Sequence, residues 1–214
     1  MNSSNLRINN KNFIIYKFLN SLFLGVSIGI TVTVYKPLEI IIFSQGGIFL
    51  AILMIIVAAL YSKILNITYF YRISLFVESI IFLVVITFLF FSFNFQIALG
   101  YYIGYQITFI FGSYLVRMET LLLKKDKILS QVDIAKQLGY LIGLVISFLF
   151  YKYIEYQFSI IDNKTKVFFI HYFLLIIEAL IIIFLVRSFQ KHKHKILESM
   201  IYISIYPLVE IDNL

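Results

Sequence analysis

Apolar residues run along this chain in six long blocks, at roughly 13–35, 41–61, 71–93, 97–116, 137–154 and 167–186, with short polar stretches between them. A helix needs about 20 mainly apolar residues to cross a bilayer. Each block has about that length, the fifth being the shortest. The blocks lack the alternation of polar and apolar residues that a membrane barrel strand requires. Helices, which satisfy their own backbone hydrogen bonds, are therefore the predicted spanning elements. The expected fold is an all-α membrane protein with six transmembrane helices. The first block is long and no small-x-small cleavage site follows it, so a retained helix is expected rather than a signal peptide.

The polar connections carry a charge asymmetry. With the N-terminus inside, fourteen of the eighteen Lys and Arg fall on the inner side, and only Lys36, Lys152, Lys164 and Lys166 fall on the outer side. The positive-inside rule then places both ends in the cytoplasm. The predicted organisation is a cytoplasmic segment 1–12, a six-helix domain 13–188 and a basic cytoplasmic tail 189–214. Tyrosines mark the expected interfaces, with Tyr35, Tyr101, Tyr102, Tyr151 and Tyr153 outside and Tyr16, Tyr61, Tyr69 and Tyr71 inside.

Composition supports lipid as the solvent. The chain has 214 residues, 61% hydrophobic and only 14% charged, against about 25% charged in a soluble domain. It has no cysteine, so no thiol chemistry or disulfide is available. The abundance of Ile, Asn and Lys suits an AT-rich genome and points to the inner (plasma) membrane of a bacterium. The net charge of +7 is dispersed among loops, which argues against nucleic-acid binding. The expected partners are membrane lipid and a small solute.

The longest inner connection is 117–136, "RMETLLLKKDKILSQVDIAK". Leu121, Leu122, Ile128, Leu129 and Val132 are spaced to give one apolar side, which predicts a helix lying along the membrane surface. A solvated connector that fixes topology explains the same residues.

Inside the predicted spans, small residues recur at a spacing of four. The first has Ser21, Gly25, Gly29 and Thr33, the fourth has Gly100, Gly104, Thr108 and Gly112, and the fifth has Gly139, Gly143 and Ser147. Such stripes let helix backbones approach closely, so the first, fourth and fifth spans are the expected packed interior. Tyr16, Asn20, Ser27 and Thr31 in the first span and Gln106 in the fourth either line a polar cavity or bond between helices.

Two carboxylates lie within spans, Glu78 in the third and Glu178 in the sixth. An ionisable residue in a bilayer is a functional-site hypothesis by default. Burial there favours the protonated form, so either is a candidate for proton coupling. The bland alternatives are a neutral, hydrogen-bonded side chain or a pairing with a basic residue. Glu78 lies six residues from Arg72 and Glu178 nine from Arg187, about 9 and 14 Å along a helix.

No nucleophile set, metal set or phosphate loop is present, so neither an enzyme nor a cofactor is expected. Ser113 and His171 suggest the dyad of rhomboid-type intramembrane proteases. However, "FGSY" lacks the glycine-x-serine-small pattern, and the predicted topology puts the two residues near opposite faces of the membrane, on the order of 20 Å apart. Hydrogen-bond reach is required of such a pair, so the dyad is rejected. His192 and His194, in "QKHKHK", are read as part of the basic tail.

Six spans with both ends inside and a basic link after the fourth resemble the N-terminal half of a major facilitator superfamily transporter. The stretch "GYQITFIFGSYLVRMETLLLKKDKILSQVDIAKQLGYLIGLVISFLF" carries most of the likeness, with Glu119 matching a frequent acidic position after the fourth helix. The resemblance covers 13–188. It implies an MFS-like half bundle in which the first, second, fourth and fifth helices line the cavity and the third and sixth are peripheral. The connection "AALYSKILNITYFYRIS" departs from the family, keeping Lys63 and Arg72 but lacking its glycine and aspartate.

The resemblance implies transport of an unidentified small solute by alternating access, with Asn20, Ser27, Thr31 and Gln106 as substrate contacts. A complete transporter of this kind has two such halves. A homodimer, a partnership with a second six-helix half, or a truncated remnant would each account for one set of six. The alternative is a non-transporting assembly, anchoring or regulatory protein of the membrane.

Overall fold

The structure, a computed structural model, describes residues 6–91 and 93–191. Residues 192–214 of the predicted tail, with His192 and His194, lie outside the described residues. Among the described residues the regular structure is helical apart from one small ribbon. Its elements are β1 (Leu6–Ile8), α1 (Asn10–Val34), α2 (Ile40–Ala59), α3 (Tyr61–Ile64), α4 (Ile67–Phe91), α5 (Phe95–Ile110), α6 (Gly112–Leu122), α7 (Asp126–Phe158), α8 (Asn163–Ser188) and β2 (Phe189–Lys191).

Local chemistry sets several of these boundaries. Asn9, Asn94 and Asp162 accept hydrogen bonds from the first-turn backbone of α1, α5 and α8. Asn66 does the same ahead of α4, accepting from the Thr68 and Tyr69 N–H groups at 3.1 Å. A short polar side chain satisfies donors that the first turn of a helix leaves free. At the end of α7, Ser159 takes a left-handed conformation, φ 53°, which stops the helix.

Five helices, α1, α2, α4, α7 and α8, are long and apolar enough to cross a membrane. Together they fit a multi-pass membrane protein. The predicted fourth span differs from expectation because it is divided at Phe111. The 16 residues of α5 rise about 24 Å, short of the ~30 Å hydrocarbon core. Phe111 leaves ideal helix geometry at φ −92°, ψ −3°. Its N–H reaches the Thr108 carbonyl at 3.3 Å, a tightened turn.

The 117–136 stretch also differs. It holds the end of α6, a three-residue connection and the first turns of α7. The expected surface-lying helix is absent, because its second half continues directly into the predicted fifth span. The resulting α7 has 33 residues and a length of about 50 Å.

In the packing, α1 lies most extensively against α7 and then α8, while α4 packs on α8 and α5. Fully buried Phe13, Val26, Ile30, Phe70, Val85, Phe88, Ile170, Leu174 and Ile181 join α1, α4 and α8 in one core. The predicted third and sixth spans, α4 and α8, are thus central rather than peripheral. It is α2 that is peripheral, with no buried residue and α5 as its main helix contact.

The ends of the bundle meet. β1 pairs antiparallel with β2, the Asn9 N–H donates to the Ser188 carbonyl at 2.8 Å, and the Asn12 amide donates to the Arg187 carbonyl at 3.0 Å. The start of α1 and the end of α8 therefore lie on one side of the bundle.

Candidate functional site: a carboxylate pair inside the bundle

The small-residue stripes position α1. A Cβ on Gly25, Gly139 or Gly143 would collide with the backbone of the facing helix, at Tyr140, Phe18 and Leu22 respectively. The α1 and α7 backbones are therefore in direct contact, a close approach that only glycine permits. Ser147 is buried on the same side of α7, and Ser21 is half-buried on α1. The α5 and α6 stripe does not act in this way. A Cβ on Gly100 or Gly112 meets nothing, whereas one on the buried Gly104 would run into the Val84 side chain of α4 and touch that of Ile80. Gly100 instead borders, with Gly104 and with Ile80, Leu83 and Val84 of α4, an open depression between the two helices.

With α1 held against α7, its other polar face turns toward α4 and α8. Tyr16 donates a 2.6 Å hydrogen bond to Glu78 Oε1. Asn20 donates to the same carboxyl, at 3.0 and 3.3 Å to its two oxygens. Glu178 projects from α8 toward this group. It is fully buried and accepts from no N–H or hydroxyl group; the polar group beside it is the Glu78 carboxyl. Both carboxyls line one cavity of about 170 Å³, together with Tyr16, Lys17, Asn20, Phe23, Tyr105, Thr108 and Phe109. Leu24 and Phe109, 49% and 53% exposed, stand at its rim and leave it open between α1 and α5.

On the side of the chain ends, the cavity is bounded by a cluster of charges. Lys17 pairs with Glu119 at 2.7 Å. Lys136 pairs with the other Glu119 oxygen and with Asp133 at 3.3 Å. Burial pushes the Glu119 carboxyl up, but the two lysines outweigh it and hold the group below its ordinary value. The cluster ties the start of α1 to the end of α6 and the start of α7. Nearby, the Tyr114 hydroxyl donates to the Ile64 carbonyl at 2.9 Å, and Arg117 lies over the Tyr61 ring, which joins α6 to α3.

On the opposite side, His171 is buried and stacks on Phe88 at 3.8 Å, with Tyr101 edge-on at 5.9 Å. Its Nδ1 meets the Val167 carbonyl at 2.6 Å. Ser113 instead borders a surface depression with Arg117 and Thr120. The two residues of the rejected dyad are not brought together.

Of the four expected substrate contacts, only Asn20 lines the carboxylate cavity. Ser27 and Thr31 donate to carbonyls of their own helix, Leu24 and Ile28, at 3.1 and 2.8 Å. Gln106 lies off the cavity, with a buried Oε1 that has no partner. Thr108 borders the cavity while donating to the Tyr105 carbonyl at 2.8 Å. Gly29 and Thr33 border a different depression, near Tyr151 and Lys166.

Lys17, Tyr105 and Phe109 were not singled out from sequence. Lys17 could have been, since a lysine four residues into an apolar block needs an anionic partner. Nothing distinguishes Tyr105 from the other tyrosines until the fold places it. Among the described residues, no group of three or more His, Asp or Glu side chains is placed to hold a metal ion.

Compared with known protein families, with curated proteins and with solved structures, the chain matches none.

Proposed function

We propose that this chain is a transport-type membrane protein that moves a small solute by alternating access and couples that movement to protons. The observation that carries this reading is the meeting of Glu78 and Glu178 in one buried cavity. Two facing carboxyls at low dielectric cannot both hold charge. At least one keeps a proton, and any change in access to water offers a way to load or release it. An acidic pair in a bilayer is costly, which makes it a functional-site hypothesis by default.

In this reading α5 and the first turn of α6 together form a sixth span, and both ends of the bundle face the cytoplasm of a bacterial cell, in the plasma membrane. This reading keeps the six-span, both-ends-inside plan of an MFS-like half, with α4 and α8 central and α2 peripheral where that family has the reverse. The cavity rim at Leu24 and Phe109 is where a second six-helix unit, another copy of this chain or a separate half, would close the site. Lys17, Glu119 and Lys136 form the inner seal.

The test is flux in proteoliposomes. An imposed proton gradient is expected to drive net proton movement that depends on solute, and Glu178→Gln is expected to abolish the dependence. Equal, solute-independent behaviour of both proteins would overturn the reading.

A second reading is favoured by α2. A helix with no buried residue, touching the bundle mainly along α5, leaves most of its surface to another membrane protein, as an assembly or anchoring subunit would. Stable co-purification of one defined membrane partner, in the absence of any flux, would decide for it.

A further inference from the structure

The charges on the side of the bundle that holds the chain ends do not balance. Three carboxylates stand there, Glu119, Asp126 and Asp133. Lys17 and Lys136 take up Glu119 and Asp133. Among the described residues Lys63, Arg117, Lys124, Lys125 and Asp126 make no ion pair.

Arg117 differs from those lysines in its surroundings. It is exposed and stands five residues before the end of α6 at Leu122, about 8 Å along the helix, and so deeper than the connection that follows. Its guanidinium lies over the Tyr61 ring, 5.4 Å from the centroid. Tyr61 in turn rests against buried Tyr114, whose hydroxyl is fixed on the Ile64 carbonyl. A ring face holds the cation in place but takes none of its N–H donors. Among the described residues nothing accepts them. An arginine at this depth in lipid is costly until an anion meets it.

The same arginine borders a depression of about 620 Å³ along one flank of α6. Two rows at a spacing of four form its wall: Ser113, Arg117 and Leu121, and Gly112, Val116 and Thr120. None of these residues is acidic. A Cβ on Gly112 meets nothing, so the deeper part of the strip is open. The volume equals about twenty water volumes of ~30 Å³ each, room for a phosphodiester headgroup, its glycerol and the first carbons of a chain. A fixed positive charge near the membrane edge with an apolar strip beyond it suits an amphiphile with an anionic head. The planar fork of arginine matches phosphate oxygens two at a time.

We propose that this flank of α6 binds an anionic phospholipid of the leaflet on the chain-end side, its phosphate on Arg117 and one acyl chain along Val116 and Gly112. The Ser113 hydroxyl, one turn deeper, stands where the ester oxygens of the lipid would lie. Lys63 and Lys124 strengthen the local field for an anionic head. The other side of the same short helix carries Glu119, so the lipid braces the Lys17–Glu119–Lys136 cluster from behind. The site stands whether or not the chain transports a solute.

The experiment is native mass spectrometry of the purified full chain in detergent micelles supplied with phosphatidylglycerol or phosphatidylcholine of equal chain length. The expected result is one phosphatidylglycerol retained per chain, preferred over phosphatidylcholine by about tenfold. Arg117→Gln should weaken its retention about tenfold, the loss of one charge-assisted forked contact. Lys11→Gln removes a charge from the same side without touching the depression and should weaken it less than about twofold. Gly112→Leu fills the strip and should weaken it at least about threefold. Equal retention of the two lipids, or equal losses in Arg117→Gln and Lys11→Gln, would overturn the proposal. Displacement by millimolar inorganic phosphate would also overturn it, marking a site for a free anion. So would a dimer that Arg117→Gln dissociates, which would seat a second copy on this flank. If Arg117→Gln does not fold, Gly112→Leu and the preference of the native chain between the two lipids decide.

Discussion

Tyr16 and Glu78, 62 residues apart in sequence, share a 2.6 Å hydrogen bond inside the bundle. The bond fixes the rotation of α1 against α4 and holds one carboxyl of the pair while the other accepts from no N–H or hydroxyl group. Removing the hydroxyl leaves Glu78 with Asn20 alone. Tyr16→Phe is expected to cost about 1–3 kcal/mol, the usual penalty for a buried polar group that loses a partner. Thermal unfolding in detergent would show it, and Tyr16→Phe combined with Asn20→Ala should depart from additivity because both act on one group. An unchanged melting temperature in Tyr16→Phe would argue against the bond.

The α1–α7 contact makes a sharper prediction. Gly143→Ala would place a methyl group against the Leu22 carbonyl, forcing the two backbones apart at a cost of about 1–3 kcal/mol. Gly100→Ala adds a methyl that meets nothing and removes a flexible residue from a helix, so it should be neutral or slightly stabilising. Detergent-solution melting curves of the two variants should differ in this order. Equal behaviour would show that the contact is not close.

Glu119 links two lysines from different helices. Glu119→Gln would leave both ammonium groups without a full counter-charge, at a cost of about 1.5–3 kcal/mol. The native contribution depends on pH. Because the folded carboxyl lies below its ordinary value of 4.5, its stabilisation is complete above that value. It is lost as pH falls through the lower folded value. Melting temperature against pH should therefore drop in acid more steeply for the native chain than for Glu119→Gln, and parallel curves would contradict this.

The absence of cysteine gives a clean background for mapping topology. Single replacements Lys36→Cys and Lys152→Cys should react with a membrane-impermeant maleimide in intact cells. Lys63→Cys and Lys127→Cys should react only after the membrane is opened. Labelling of all four from outside would reject the inward placement of the chain ends.

The extent of the helices was legible because twenty-residue apolar blocks admit little else in lipid. The spacing of Gly25, Gly139 and Gly143 marked two helices suited to close packing, but that α1 and α7 pack on each other was not legible. The division at Phe111 was not, because no proline or charge interrupts 97–116 and the tightened turn follows from packing. The surface helix expected at 117–136 failed because an amphipathic pattern does not say whether a helix lies flat or extends a neighbouring span. For the cavity, Glu78, Glu178 and Asn20 could be named from sequence, but their meeting depends on how α1 is rotated. Ser27 and Thr31 satisfy themselves on their own helix, an outcome that spacing leaves open.

The pairing of early and late elements has a consequence for synthesis. α1 is made long before α7 and α8, the helices it packs on most, and the β1–β2 ribbon cannot form until Lys191 has been added. Between those moments Tyr16, Lys17 and Asn20 sit in a helix whose eventual partners do not yet exist. The newborn helix must therefore keep its polar face toward water, the insertion machinery or α4 until α7 and α8 arrive. A ribosome halted after α5 would leave Tyr16 and Asn20 able to reach Glu78 of α4 but Lys17 still without Glu119 of α6.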